Sequence, residues 1–102
     1  MATDEALPGV SFHDAEIVVL HLDRDGPTLD LEMECANPPS DAGTVRLRFE
    51  RVTELELSGF NEQNVLFDLE ATQAADGMWD VRLSPSYGVE AVFRCSSVHR
   101  AP

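Results

Sequence analysis

Apolar and polar residues alternate along most of the chain, and the alternation is clearest between residues 44 and 70. In its first part, TVRLRFE, Leu47 and Phe49 alternate with charged residues. A period of two places the apolar set on one face of a β-strand and the polar set on the other. The segments 53–59 and 65–71 show the same period, so we predict three consecutive half-buried strands here.

The same period predicts four further strands. An Asp-Gly pair at 25–26 separates the first two, and glycine supplies the positive φ that a tight hairpin turn requires. A loop is predicted at 36–43, because its two consecutive prolines are incompatible with regular structure. Turns are predicted at 59–64, with at most one helical turn, and at 85–88. The four strands are residues 17–23, 28–35, 78–84 and 89–95.

No segment has a helical period, so no crossover helix is available to connect parallel strands. We therefore predict a mostly β protein, a single antiparallel sheet meander of about seven short strands curled into a sandwich or half-barrel. Residues 1–102 form one domain in this prediction, with a frayed lead-in at 1–10 and a trailing end at 96–102. The predicted core consists of Val19 or its neighbours, Leu31, Met33, Leu47, Phe49, Leu55, Leu57, Phe67, Leu69, Trp79, Val81 and Phe93.

Charge is the most informative feature of the composition. The chain has 19 acidic and 7 basic residues, all the basic ones arginine, and a formal net charge of -12. A field of this sign repels nucleic acid and anionic membranes and attracts a basic protein. A highly charged surface also keeps a protein soluble, so both interpretations stay open.

The acids are concentrated early in the chain. Residues 1–43 hold ten of the nineteen acids and one of the seven arginines. Three of these acids occupy the outward phase of strand 28–35, and two more lie at the hairpin tip. Arg46 and Arg48 of the next strand are predicted to offset part of this row in cross-strand pairs. We predict that a basic partner protein binds this acidic row, which consists of Asp23, Asp25, Asp30, Glu32 and Glu34.

The densest group of candidate ligands is His13, Asp14 and Glu16. Such residues could hold a divalent metal, or a His–Asp pair could act in acid–base catalysis. The set is incomplete, because no second histidine lies nearby and no known metal or phosphate motif is present. A polar residue followed by acids also suits a turn or a helix cap. We predict a structural turn, no cofactor and no enzymatic activity, with a small metal-dependent hydrolase as an alternative.

Cys35 and Cys95 fall on the inward phase of their strands, and we predict that both are free, buried thiols.

Residues 1–9 lack the basic and apolar regions of a signal peptide. No apolar run approaches the ~20 residues that span a bilayer. We therefore expect a cytoplasmic protein that binds neither membrane nor nucleic acid.

Three motifs connect the chain to a known family. SFHDAEI at 11–17, FNEQN at 60–64 and VEAVFRC at 89–95, together with the strand pattern FERVTEL at 49–55, resemble the immunity protein 50 family. These are small bacterial proteins predicted to neutralise the toxin domains of polymorphic toxin systems. The resemblance implies a toxin domain as the basic partner and assigns no catalytic residue. The other alternative is a structural β scaffold or oligomerisation module. The protein is expected to be a monomer or a weak homodimer through an edge strand.

Overall fold

Eight β-strands form the part of the chain that the computed structural model describes, residues 12–35 and 43–101. These residues include no helix, and so none that is long and apolar enough to cross a membrane. The predicted lead-in at 1–10 and nearly all of the predicted loop at 36–43 lie outside them. The strands are β1 (Glu16–Asp23), β2 (Thr28–Cys35), β3 (Gly43–Glu50), β4 (Thr53–Ser58), β5 (Val65–Gln73), β6 (Trp79–Tyr87), β7 (Glu90–Cys95) and β8 (Ser97–Ala101).

All paired strands run antiparallel, as the lack of crossover helices predicts. The strand order is β4-β7-β6-β5-β1-β2-β3-β8 in one sheet that does not close. Two meanders, β1-β2-β3 and β5-β6-β7, are joined by the pairing of β5 with β1. The single antiparallel sheet is confirmed. The count of seven strands is one too low, and the turn at 59–64 contains no helical turn.

Two sharp bends allow the sheet to curl around its core. Only two residues separate β3 from β4, and one separates β7 from β8. Arg51 adopts a φ of 56° in the first of these breaks. The rings of Phe49 on β3 and Phe93 on β7 pack edge-on, with centroids 5.0 Å apart. These strands stand seventh and second in the strand order, so their contact requires a curled sheet.

β8 replaces the predicted trailing end at 96–102. It pairs with β3, and its start is fixed by Ser96, whose amide and hydroxyl both donate to the Glu50 carbonyl, at 2.8 and 3.1 Å. Its sequence, SVHRA, has no clear alternation. Backbone hydrogen bonds, which any residue except proline can supply in full, are enough to add it to the sheet.

Most of the predicted core is buried. Leucines and valines on the inward phase of β2, β3 and β6 form one buried cluster with Phe49 and Phe93. Two predicted core residues, Leu55 and Trp79, are partly buried and pack against this cluster. The predicted positions that are fully buried are Leu31, Met33, Leu47, Phe49, Leu69, Val81 and Phe93.

β5 departs from the predicted phase. A bulge shifts its register on both sides of Leu66, so Leu66 is buried whereas Phe67 is 56% exposed. An extra residue in one strand reverses the inward set beyond it, which a strict period of two does not anticipate. Pro85 lies opposite Leu66 inside β6, which continues to Tyr87, so the turn predicted at 85–88 begins too early and only Gly88 of it connects β6 to β7. Proline fits there because it lacks an amide proton and the ladder is already irregular.

Two other predicted core positions are exposed. A register shift between Ile17 and Val19 turns Val19 outward, and its neighbour Ile17 is buried instead. Leu57 lies opposite buried Ala91 yet is 41% exposed. The reason is that β4 is an edge strand, with no further strand to cover that side chain.

Candidate protein-binding surfaces

Three members of the acidic row, Asp30, Glu32 and Glu34, lie on the outer face of β2, and the first two pair with arginines of β3. Arg48 donates to Asp30 through Nε at 2.8 Å and Nη2 at 3.3 Å, and Arg46 Nε donates to Glu32 at 2.9 Å. These contacts confirm the predicted cross-strand pairs. The hydrogen bond to Asp30 raises the pKa of the Arg48 guanidinium. The charge of the two central acids is therefore largely offset.

Two histidines lie beside these ion pairs, so that the polar contacts extend over four strands. His21 Nδ1 on β1 lies 4.0 Å from Asp30 Oδ2. His99 on β8 lies opposite Arg48, and its Nε2 is 3.8 Å from Glu50 Oε2. The outer face of β1, β2, β3 and β8 therefore carries both signs of charge rather than a continuous negative field.

The other three acids of the row form no salt bridge within the described residues. Asp23 Oδ1 accepts a hydrogen bond from the Asp25 amide at 2.9 Å at the hairpin tip. Gly26 has a φ of 75°, and the hairpin forms as predicted. Glu34, at the far end of β2, is exposed. Within the described residues, these three carboxylates are therefore not paired with arginine.

The predicted turn at His13 and Asp14 precedes β1. The Ala15 amide donates to the Phe12 carbonyl at 3.0 Å, which closes the turn. Asp14, with a φ of 64°, donates its amide to the Leu66 carbonyl at 2.9 Å. The turn therefore attaches the start of β1 to β5.

The side chains of this segment do not converge on a common point. The His13 ring packs edge-on against Phe67, with centroids 5.3 Å apart, and its Nε2 lies 3.7 Å from Asp14 Oδ2. Glu16 begins β1 opposite Glu34 and Val65. Across the described residues, no group of three or more His, Cys, Asp and Glu side chains could hold a metal ion.

Asn64 organises a loop that strand periodicity does not single out. It is a buried polar residue, 4% exposed. Its Oδ1 accepts hydrogen bonds from the amides of Val89 at 2.9 Å and Asn61 at 3.1 Å, and its Nδ2 donates to the Asn61 carbonyl at 2.8 Å. The FNEQN motif is the sequence feature that indicates such a loop, because asparagine side chains often form hydrogen bonds to backbone groups in turns.

Two glycines permit the close approach of this loop to the β6–β7 connection. A Cβ on Gly59 would lie 2.7 Å from the Gly88 carbonyl oxygen, and one on Gly88 would lie 2.7 Å from the Gln63 carbonyl oxygen. Both glycines also have positive φ, 72° and 96°. The loop is thus fixed on a rigid base, and it presents Phe60 with 62% of its surface exposed.

The β4 edge combines apolar and acidic side chains. Glu56 lies opposite Val92 on the outer face, and both are exposed. Neither Glu56 nor Glu90 forms a salt bridge within the described part of the chain. An open groove at this edge is lined by Leu55, Glu56, Leu57, Ser58, Glu90 and Val92.

The model of one protein family, Immunity protein 50, matches residues 8–100, nearly the whole chain. The chain belongs to this family. The resemblance based on the three motifs is thereby confirmed. Comparison with curated proteins and with solved structures gives no match.

The three motifs have structural roles in this immunity protein 50 chain. From Phe12 onward, the first supplies the turn into β1. The second contains Asn64 and holds the loop after β4. The third forms β7, with Phe93 and Cys95 in the core. Of the motif residues in the described chain, the exposed Phe60 stands out, because its aromatic ring is not used for packing in the core.

The two cysteines of this immunity protein 50 chain are buried and form no disulfide, as predicted. Burial raises the pKa of the Cys95 thiol to about 11. Cys95 is therefore protonated at neutral pH, and a protonated, buried thiol is a poor nucleophile. This thiol is part of the core rather than of a reactive site.

A second ion cluster fixes the β5–β6 turn to β7. Arg94 donates to Asp80 through Nε at 2.8 Å and to Asp76 through Nη2 at 3.0 Å. The Met78 amide and Arg94 both donate to Asp76 and lower the pKa of its carboxyl. Like the central acids of the acidic row, these two carboxylates are already engaged by arginine.

Proposed function

We propose that the chain is a non-enzymatic binding protein that neutralises a bacterial toxin domain by direct contact. The observation that carries the proposal is the family match over residues 8–100, since an immunity protein implies a toxin partner. The net charge of -12 supports a basic partner, because opposite charges accelerate association and favour the correct complex. The same charge disfavours nucleic acid and anionic membranes as ligands. A cytoplasmic location belongs to the same proposal.

The acidic row is a candidate contact for this partner. Asp30 and Glu32 already pair with arginines of this chain. An exposed ion pair contributes only about 0–1 kcal/mol, so replacing these arginines with an arginine of the partner would add little binding free energy. Asp23, Asp25 and Glu34 lack such pairs in the described residues. We therefore propose that the row acts chiefly at long range and steers a basic partner toward the protein.

Protection of growing cells tests the proposed function. Open reading frames that flank this chain's gene are expressed one at a time from an inducible promoter in a bacterial host, and each one that arrests growth is expressed with and without the chain. We expect growth arrest that the chain relieves, and we expect the two proteins to co-purify from protected cells. A toxin domain from an unrelated system serves as the control and should stay active. Continued arrest despite abundant folded chain would contradict the proposal.

A further inference from the structure

β4 ends the sheet with an edge that no strand of the described chain covers. It pairs with β7 alone. In an antiparallel pair, alternate residues direct their N–H and C=O groups away from the neighbour, so the outer side of β4 offers backbone donors and acceptors to another strand. Glu54, with a φ of 54°, and a register shift between Thr53 and Glu56 interrupt the start of the edge. Its regular part is therefore residues 56–58.

The side chains along this edge alternate in character. Leu57 faces the core side but is 41% exposed, because the sheet ends beside it. Glu56 faces the outer side and forms no salt bridge within the described residues. An added strand would meet an apolar side chain on one face and a carboxylate on the other.

The loop after β4 also carries an exposed apolar side chain. Phe60 and Tyr87 are both largely exposed, and Asn61 Nδ2 donates to the Tyr87 hydroxyl at 3.2 Å. Asn64 holds this loop against the β6–β7 connection. Exposed aromatic residues on a rigid base are typical of the side chains that dominate protein–protein binding energy.

We propose that an extended segment of the toxin domain binds along β4 by strand addition and carries apolar and basic residues at alternating positions. Backbone hydrogen bonds to residues 56–58 hold the segment, as in other cases of strand addition. Its apolar residues cover Leu57 and contact Phe60, and a lysine or arginine pairs with Glu56. This inference rests on the proposed function and names the surface that performs it.

Charge disfavours a second copy of the chain as the occupant. Two β4 strands paired edge to edge would bring Glu54 and Glu56 of both copies close together. Like charges opposite one another in a sheet are destabilising, and the net charge of each chain, -12, adds to the repulsion. A basic segment converts the same carboxylates into attractive contacts, so a partner protein fits this edge better than the homodimer that an edge strand suggests.

A matched pair of charge reversals separates the β4 edge from the overall charge of the molecule. Glu56→Lys and Glu70→Lys change the net charge equally, and both residues are exposed, on a strand and outside any salt bridge of the described chain. The probe is the toxin domain that the protection experiment identifies. At equal salt, we expect Glu56→Lys to weaken binding by at least about tenfold and Glu70→Lys by less than about threefold. Equal losses, or a larger loss for Glu70→Lys, would overturn the proposal.

Two further measurements keep this test decisive. The melting temperatures of both variants should be close to that of the wild type, which would exclude a loss of fold as the cause of weaker binding. Amide hydrogen exchange in the wild-type complex should slow at residues 56–58 and stay unchanged in β8, the other edge of the sheet. Unchanged exchange in β4 would overturn strand addition even if Glu56→Lys weakens binding. A wild-type chain that neither binds nor protects would contradict the proposed function itself, and with it this inference.

Discussion

Asn64 has the clearest structural role of any single polar residue in the described chain. Its buried side chain satisfies backbone groups of the loop after β4 and of Val89, 25 positions away. A sequence pattern identifies asparagine as a turn residue but does not identify the distant amide that it will bond. Strand periodicity therefore does not predict the position of this loop or of Phe60.

Substitution of Asn64 tests this role. Asn64→Ala removes the acceptor of the Val89 and Asn61 amides, and an unsatisfied buried donor costs about 1–3 kcal/mol. We expect the free energy of unfolding, measured by urea denaturation, to fall by about 2–3 kcal/mol. The neighbouring exposed residue provides the control, and Gln63→Ala should change stability by less than about 0.5 kcal/mol. Equal stability of the two variants would contradict the assigned role.

Some strands follow a strict period of two, and others are interrupted by bulges. β2 and β3 pair without a register shift from Thr28 to Cys35, and their predicted faces are correct. β1, β4 and β5 each contain a shift, and there the predicted inward residues are partly wrong. Asp14, Arg51 and Glu54 adopt positive φ at a turn, a bend and a bulge. Aspartate tolerates positive φ, and a turn at Asp14 is predicted from the sequence. Arg51 and Glu54 belong to residue types that seldom adopt positive φ, so their identity gives no sign of this backbone conformation.

The bulge in β5 can be tested with two adjacent residues. Leu66 is fully buried, so Leu66→Ala should lower the free energy of unfolding by about 2–5 kcal/mol. Phe67 is 56% exposed, and Phe67→Ala should cost less than about 1 kcal/mol despite the larger side chain removed. Chemical denaturation of both variants measures the difference. The uninterrupted alternation seen in the sequence predicts the opposite order, which would place the bulge elsewhere.

At the scale of the whole molecule, the sequence was sufficient for the fold class but not for the strand order. The absence of helical periods implies an antiparallel sheet, and one is observed. The pairing of β5 with β1 depends on the turn at His13 and Asp14, and that of β8 with β3 depends on backbone contacts near Ser96. Such long-range pairings leave no local pattern in the sequence.

The charge distribution illustrates the same difference between local and long-range information. The pairing of Arg46 and Arg48 with the acidic row was predicted because their strands are consecutive in the sequence, and it is confirmed. The acids without arginine partners at the β4 edge become distinctive only when the strand order makes β4 an edge. The interaction surface that we propose is therefore a property of the assembled sheet.

Titration of toxin activity tests neutralisation by direct contact most directly. The purified chain is added stepwise to a fixed concentration of the purified toxin domain, well above the dissociation constant, and the remaining toxin activity is measured. Binding predicts a linear loss of activity that ends at equimolar chain and does not depend on incubation time. Complete loss of activity at a small fraction of an equivalent, increasing with time, would indicate catalysis and contradict the proposal, as would full toxin activity in the presence of excess chain.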